Sequence, residues 1–145
     1  MFFAKAKIIG CDHSLQKIDP LQKRFSKIIA TDNAADTAAV ECIFLAVKPQ
    51  SFSSLAEQIA PVVAPDTLAV SVMAGVSLPR IASRTGLAKV IRAMPNTGLR
   101  IRHSVTGLLA NAAVTVADKQ TITDFFGHLG VVIPCASEDM IDKLK

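Results

Sequence analysis

The sequence predicts an α/β fold built on a doubly wound, mostly parallel sheet. Short apolar runs alternate with amphipathic segments along the 145 residues, as in chains whose parallel strands are joined by helical crossovers. Two of these runs, at residues 42–47 and 88–93, stop abruptly at polar turns that contain proline. Buried parallel strands end in this way when their carboxyl ends face a ligand crevice.

The individual elements follow from the same pattern. Strands are predicted at residues 7–11, 27–30, 42–47, 67–72, 88–93, 104–110 and 131–134. Helices are predicted at residues 14–25 with a second start at Pro20, at 32–39, 49–62, 77–84 and 117–129, and from Glu138 onward. Ser77 is placed to cap its helix, and Asp or Asn residues are available at position 32 or 33.

Composition excludes several classes of protein. Half of the residues are apolar and 19% are charged, which excludes a disordered chain. No apolar run approaches the length of a membrane span, and the first residues lack the pattern of a signal peptide. The net charge of +4 is scattered and there is no Trp or Tyr, so we expect no nucleic-acid surface and no membrane partner.

The cysteines indicate the compartment. Cys11, Cys42 and Cys135 are widely spaced and include no CxxC pair. This arrangement predicts buried thiols in a reducing, cytoplasmic setting rather than a disulfide framework or a zinc site. The three histidines are far apart in the sequence, and we assign no catalytic residue and no metal ligand.

Four motifs point together to one family. They are residues 44–50 (FLAVKPQ), 71–75 (SVMAG), 91–97 (IRAMPNT) and 105–108 (VTGL). In this order and spacing the chain, from about residue 7 to residue 144, resembles the amino-terminal, dinucleotide-binding domain of pyrroline-5-carboxylate reductase. The resemblance implies a Rossmann-like sheet and an oxidoreductase of proline biosynthesis. Its reaction would pass a hydride from NAD(P)H to the small-molecule substrate 1-pyrroline-5-carboxylate, giving L-proline.

The resemblance also implies that the cofactor, NADP or NAD, lies across the carboxyl ends of the strands. The implied cofactor-binding residues are Asp12, Asn33, Ala46, Val47, Lys48, Pro49, Val72, Met73, Ala74 and Asn96. Small residues at Ala74 and Gly75 would let the backbone approach the nicotinamide closely, and Pro49 at a helix start would leave neighbouring amides facing a ligand.

Each of these positions also has an ordinary structural interpretation. Taken alone, Lys48 is a solvated lysine at a strand end, Asn33 is a helix cap, and Met73 is a core residue. Asn96 alone is a turn former. Asp12 has two interpretations that the sequence leaves open: an acid that binds the ribose 2′-hydroxyl and favours NAD, or a cap for the segment from Ser14.

The sequence departs from the family pattern at both ends. Only residues 1–6 precede what corresponds to the family's second strand, so the usual first strand and its Gly-rich turn are expected to be missing. Losing two hydrogen bonds to phosphate costs about 3–6 kcal/mol, or about 10²–10⁴ in affinity. The helical dimerisation and substrate domain is likewise expected to be absent. Residues 1–145 are thus interpreted as a partial, truncated NAD(P)-binding domain.

A missing central strand has three expected outcomes. The flanking strands close up, another chain fills the slot, or the segment before Ser26 is displaced. Exposed strand edges would also favour self-association. An alternative function is therefore a non-catalytic remnant that binds nucleotide weakly or only assembles with a partner. A third interpretation, a 6-phosphogluconate-type or coenzyme F420-type module, is disfavoured by the motifs at residues 94–97 and 105–108.

Overall fold

The computed structural model describes residues 6–37 and 39–144. The strands are β1 (Ile8–Cys11), β2 (Ile28–Thr31), β3 (Cys42–Leu45), β4 (Leu68–Ser71), β5 (Val90–Pro95), β6 (Ser104–Ala110) and β7 (Gly130–Pro134). The helices are α1 (Asp19–Arg24), α2 (Phe52–Ile59), α3 (Leu78–Thr85), α4 (Val116–Gly127) and α5 (Glu138–Asp142), with 3-10 turns at Leu15–Lys17, Ala34–Thr37, Pro49–Ser51 and Thr97–Ile101. Each predicted strand is present, and Pro20 lies in the first turn of α1. The helix predicted at residues 32–39 is wrong, because the described part of this segment forms only the 3-10 turn at Ala34–Thr37.

The strands form two sheets. β1 and β2 make a parallel pair, and the other five lie in the order β3-β4-β5-β6-β7. All neighbours in the larger sheet are parallel except β5 and β6, which confirms the predicted α/β fold with a mostly parallel sheet. Within the described residues no strand pairs β1 with β3. Of the three outcomes expected for the gap, the closing up of the flanking strands is therefore wrong for the described residues.

The antiparallel strand was not predicted by the alternation of strands and helices. β5 continues to Pro95, which pairs with Thr106 of β6, so the strand runs past its predicted end at Ala93. The 3-10 turn that follows is too short for a crossover helix, and β6 therefore returns antiparallel to β5.

One face of the larger sheet is covered by α2, α3 and α5. Their apolar side chains pack on inward-facing residues of β3, β4 and β5 in a single cluster. The fully buried helical members are Phe52, Ala56, Ile59, Ile81 and Ile141. This spacing of apolar residues along α2 is that of an amphipathic helix, and it places the amino ends of α2 and α3 beyond the carboxyl ends of the strands.

The other face is covered by α4. Ile122 and Phe126 of this helix are buried against Val70, Ile91 and Leu108. Both faces of β4 and β5 are therefore packed, as expected for central strands of a parallel sheet. At the β3 end of this face the cover is thinner, and a partly exposed Phe44 packs against Phe125 with the rings tilted and their centroids 5.3 Å apart.

Helix starts occur where the sequence supplies a cap. The Ser77 hydroxyl accepts a hydrogen bond from the Arg80 amide at 3.4 Å, as predicted. Thr115 and Ser137 cap α4 and α5 in the same way. α3 ends at Gly86, whose φ of 74° is the left-handed conformation that glycine adopts at low cost.

The smaller sheet is less deeply buried than the larger one. Ile8 is 50% exposed and Ile29 is 43% exposed. The connection to the rest of the fold runs through the 3-10 turn after β2, where Ala34 is buried in the cluster under α2. None of the described helices is long and apolar enough to cross a membrane.

The described cysteine thiols are free, but their burial agrees only in part with the prediction. Cys11, Cys42 and Cys135 form no disulfide in the described structure. Cys42 and Cys135 are half-buried, whereas Cys11 is exposed. The prediction of buried thiols is therefore wrong for Cys11, because β1 lies in a sheet of two strands with little packed over it.

Candidate functional site

The carboxyl ends of β3, β4 and β5 lie side by side. Leu45 is in register with Ser71, and Ser71 with Arg92. The Val72 amide donates to the Leu45 carbonyl at 3.1 Å, one residue beyond the end of β4. The turns that follow these strands therefore start from one edge of the sheet, where ligands of open α/β sheets bind.

The turn after β3 carries four of the predicted residues. Ala46, Lys48 and Pro49 are exposed, whereas Val47 is half-buried and packs against the core. Lys48 has extended backbone angles and immediately precedes the 3-10 turn that leads into α2. The main chain thus turns sharply beyond β3, and a lysine adds a positive charge at this edge.

The turn after β4 carries three more. The Ser71 hydroxyl accepts from the Met73 amide at 3.2 Å and fixes the start of this turn. Met73 is only 2% exposed and belongs to the core cluster. Its side chain is therefore a core residue, as in the structural interpretation of this position. Ala74 is exposed, and Gly75 has a φ of 69°. The small, accessible positions of this turn are therefore Ala74 and Gly75.

Asn96 lies at the end of β5 and is exposed. Its Oδ1 accepts from the Gly98 amide at 3.1 Å and from the Val105 amide at 3.3 Å. Gly98 is tightly placed, since a Cβ there would lie 2.3 Å from the His103 carbonyl oxygen. Asn96 thus shapes the loop between β5 and β6, and this loop stands beside the turn after β4.

The remaining predicted residues lie on the smaller sheet. The Asp12 amide donates to the Thr31 carbonyl at 3.2 Å, so Asp12 lies at the carboxyl end of β1 beside the end of β2. Its Oδ1 accepts from the Ser14 amide at 2.9 Å. This backbone hydrogen bond is the main reason that the pKa of Asp12 is lowered, with Lys17 and His13 adding to it.

Asn33 follows the end of β2. Its Oδ1 accepts from the Ala35 amide at 3.0 Å, and its own amide donates to the Thr31 hydroxyl at 3.0 Å. The same hydroxyl donates to Asp36. The capping interpretation of Asn33 is therefore confirmed, and the exposed amide group leaves room for a ligand role as well.

The structure thus gathers the ten predicted residues into two groups. Asp12 and Asn33 stand together at the carboxyl edge of the smaller sheet. The other eight follow β3, β4 and β5 at the carboxyl edge of the larger sheet.

A cavity of about 610 Å³ lies elsewhere, at the amino ends of β3 and β4. Its lining includes Cys42, Lys89 and Asp118 but none of the predicted residues. Lys89 Nζ lies 3.2 Å from Asp118 Oδ2, and burial raises the pKa of Cys42 to about 12. A paired lysine and a protonated thiol offer little to a ligand, so the carboxyl edge is the better candidate site.

The structural role of Arg92 was not predicted from the sequence. It lies on β5 and is almost fully buried, with Nη1 on Glu138 and Nη2 2.8 Å from Asp142 Oδ1. Glu138 Oε1 also accepts from the Leu78 amide at 2.6 Å. Arg92 therefore ties α5 and the start of α3 to the strand that ends at the candidate site. A lone arginine inside an apolar strand, followed later by acids four residues apart, was the available signal.

Metal binding is not indicated. Among the described residues, no group of three or more histidine, cysteine or acidic side chains could hold a metal ion.

Comparison with known proteins identifies relatives of this chain. The family model for coenzyme F420-dependent NADP oxidoreductases matches residues 3–75. Pyrroline-5-carboxylate reductase of Pseudomonas aeruginosa is 28% identical over 140 residues, which cover 96% of this chain and 51% of that protein. The Escherichia coli reductase is 34% identical over 81% of this chain and 44% of its own length.

A solved structure gives the same result. The pyrroline-5-carboxylate reductase of Coxiella burnetii matches with a TM-score of 0.88 and 30% identity, covering 94% of this chain and 52% of that chain. The chain thus spans about half the length of these relatives. The family model ends before residues 94–97 and 105–108, and the reductase comparisons extend across them. The expectation that these two motifs disfavour a coenzyme F420-type module is therefore wrong at the level of the family.

Residues 3–75 are about half of the sequence, and the nearly full-length similarity carries the resemblance through the last strands. The chain belongs to the family of coenzyme F420-dependent NADP oxidoreductases, and within it resembles the amino-terminal dinucleotide-binding domain of pyrroline-5-carboxylate reductase.

Proposed function

We propose that this chain is the dinucleotide-binding part of an NAD(P)H-dependent pyrroline-5-carboxylate reductase. The reaction is hydride transfer from NAD(P)H to 1-pyrroline-5-carboxylate, which yields L-proline. The observation that carries the proposal is the alignment of three turns at one sheet edge. The exposed positions Ala46, Ala74 and Asn96 mark these turns, in a chain similar to reductases of this name.

The residues at this edge suit the parts of a dinucleotide. Ala74 and Gly75 leave space in which a flat ring can approach the main chain. Lys48 supplies a positive charge for a phosphate, and Asp12 with Asn33 supplies oxygen and amide groups for a ribose. The described residues provide no glycine-rich turn into a helix, so we expect weaker binding than a complete phosphate grip would give.

The contribution of the chain to the reaction is binding and orientation. When bound, the nicotinamide supplies the hydride. The turns after β3, β4 and β5 would hold and orient the cofactor. Arg92 ties β5 to α5 and, through Glu138, to the start of α3. We assign no proton donor to this chain.

The test is calorimetric titration of NADPH and NADH into the purified chain, because a protein without Trp or Tyr gives no useful intrinsic fluorescence. We expect a dissociation constant between about 10 µM and 1 mM. Ala74→Leu should abolish binding by filling the space at the turn after β4. Ala112→Leu places the same side chain at an exposed position after β6 and should leave binding unchanged.

The absence of heat up to millimolar dinucleotide would contradict the proposal. Equal weakening by the two leucine variants would also contradict it, because binding would then not depend on this edge. Turnover of 1-pyrroline-5-carboxylate by the same preparation is measured in parallel.

A second candidate function rests on the split sheet. β1 and β3 each have one edge without a strand partner in the described residues. A non-catalytic remnant that assembles with a partner or with itself would use these edges. Binding without turnover, together with a molar mass that rises with concentration in light scattering, would favour this function. The free thiols suit either function in the cytoplasm.

A further inference from the structure

We infer that Glu138 is a positioning residue for the nicotinamide end of the proposed site. Its carboxylate caps α3 from the neighbouring helix α5, and this cap sets the turn after β4 on which the ring would rest. The inference rests on the proposed function and concerns one contact behind the same site, the hydrogen bond from the Leu78 amide to Glu138.

The turn after β4, at residues 72–77, is fixed at both ends. At its start the main chain leaves β4, and the Ser71 hydroxyl holds the first amides of the turn. At its end Glu138 Oε1 accepts from the Leu78 amide at 2.6 Å, across sixty residues of sequence. The exposed Gly75 lies between these two bonds. A shift of the Leu78 end would therefore move the part of the main chain that faces a ligand.

Glu138 provides the stronger of two caps on α3. The Ser77 hydroxyl accepts from the Arg80 amide at 3.4 Å, which is long for a hydrogen bond. The bond to Glu138 is short and has a charged acceptor, and such bonds are stronger than neutral ones. A carboxylate at the amino end of a helix also interacts favourably with the helix dipole. The start of α3 therefore depends mainly on a residue of another element.

Arg92 holds the capping carboxylate in place. Glu138 Oε2 pairs with Nη1 of this buried arginine, and Nη2 lies 2.8 Å from Oδ1 of Asp142, one turn further along α5. The Nε atom of Arg92 is buried and has no hydrogen-bond partner in the described structure. The guanidinium therefore depends on these two carboxylates, because a buried charge that loses its partner is costly. The orientation of Glu138 is fixed as a result.

Apolar packing on β6 sets the position of α5. Ile141 is fully buried, and a Cβ on Gly107 would lie 2.4 Å from the Leu144 side chain and 3.1 Å from the Cys135 thiol. The segment around α5 approaches β6 this closely because Gly107 has no side chain. The contact that brings Glu138 to α3 is thus anchored in the core of the larger sheet.

The test compares each dinucleotide with the same molecule without its nicotinamide ring. NADH is compared with ADP-ribose, and NADPH with 2′-phospho-ADP-ribose, by calorimetry on the full chain. The wild type should bind the dinucleotide at least about tenfold more tightly than the ring-free ligand. Glu138→Gln should reduce this ratio to near one by weakening the dinucleotide alone. The substituted side chain has one oxygen, so it cannot accept from both Leu78 and Arg92.

Asp139→Asn is the matched control, because Asp139 is an exposed acid on the same helix that pairs with Lys143. It should leave all four affinities unchanged. Thermal unfolding followed by far-UV circular dichroism establishes that each variant folds. Equal weakening of all four ligands by Glu138→Gln would mean that Glu138 only stabilises the fold, and would overturn the inference. A wild-type ratio near one, or an unchanged ratio in this variant, would overturn it as well.

Hydrogen exchange of the wild type gives a second measurement that requires no variant. NADH should slow exchange of the Gly75 and Leu78 amides at least about threefold more than ADP-ribose does at equal saturation, because only NADH carries the ring that would rest on this turn. Equal protection by the two ligands would overturn the inference while leaving dinucleotide binding intact. Failure of both NADH and NADPH to bind would overturn the proposed function itself.

Discussion

The two sheets of this chain are built from similar sequences and reach very different burial. β1 and β2 read IIGC and IIAT, and β3 and β4 read CIFL and LAVS. All four residues of β4 are buried, whereas Ile8 and Ile29 of the smaller sheet are about half exposed. Strand composition alone does not account for this contrast.

The difference lies in the number of neighbours. β4 has a strand on each side, α2 and α3 on one face and α4 on the other. β1 has one strand partner in the described structure, and Ile18 and the 3-10 turn at Ala34–Thr37 pack against it. Apolar residues in a strand are thus buried only as far as the surrounding elements permit, and stability should be concentrated in the larger sheet.

The largest difference in stability between the two sheets is expected when a Cβ is added to one glycine in each. Gly130 of β7 has a φ of 146°, and a Cβ there would lie 2.0 Å from the Ser104 carbonyl oxygen. Gly130→Ala must therefore separate β6 from β7 or strain the backbone, and we expect a loss of at least about 4 kcal/mol in the free energy of unfolding. Urea unfolding followed by circular dichroism measures this loss.

Gly10 of β1 provides the control. A Cβ at this position would meet the Ile18 side chain at 3.2 Å rather than backbone, and a side chain can shift. Gly10→Ala should change the free energy of unfolding by less than about 1 kcal/mol. Losses of equal size for the two variants would mean that the Ile18 side chain cannot shift to accept a Cβ at Gly10.

Removing the same side chain from each sheet should give a smaller effect. Ile91 of β5 is 1% exposed, whereas Ile8 of β1 is half exposed. Ile91→Ala leaves a cavity under α4 and should cost about 3 kcal/mol, and Ile8→Ala should cost less than about 1 kcal/mol. Urea unfolding followed by circular dichroism measures the free energy of unfolding of both variants. A cost for Ile8→Ala as large as that for Ile91→Ala would show that β1 is packed more tightly than its exposure indicates.

The reactivity of one cysteine thiol in each sheet compares their burial without altering the fold. Burial raises the pKa of Cys42 in the larger sheet to about 12, so at pH 8 only about one thiol in ten thousand is the reactive thiolate. The pKa of Cys11 in the smaller sheet is also raised, by burial and by nearby aspartates, but this thiol is exposed.

Iodoacetamide should therefore alkylate Cys11 at least about tenfold faster than Cys42 in the folded chain. Mass spectrometry of peptides taken at successive times gives both rates in one experiment, and urea should bring them together. Faster alkylation of Cys42 in the native chain would contradict its burial.

The elements and caps could be predicted from sequence because they depend on local chemistry. Ser77 before an amphipathic segment and Pro20 within a predicted helix both marked real helix starts. The direction of β6 was not predictable from alternation, since Pro95 extended β5 and shortened the connection. The division into two sheets was not predictable either, because it depends on which strands pair in the folded chain. The sequence of one strand does not determine its partner.

The candidate site was predicted through the family motifs rather than through its geometry. The placement of Asp12, Asn33 and Asn96 at strand ends followed from where each predicted strand stopped. Their hydrogen bonds did not, because they depend on amides brought close by the fold, such as that of Val105 on Asn96. Arg92 was missed for the same reason, since its carboxylate partners are more than forty residues away.

The antiparallel strand also bears on the order in which the chain folds. Pro95 pairs with Thr106 across one short turn. The chain between paired residues is longer for Cys42 and Leu68 and for Ile8 and Ile28. The entropy lost on closing a loop rises with its length, so the β5–β6 hairpin is the least costly strand pair to form. Asn96 closes its loop by accepting two hydrogen bonds at one oxygen, from the Gly98 and Val105 amides. We therefore expect this hairpin to form early and to serve as the template on which the slower parallel pairs assemble.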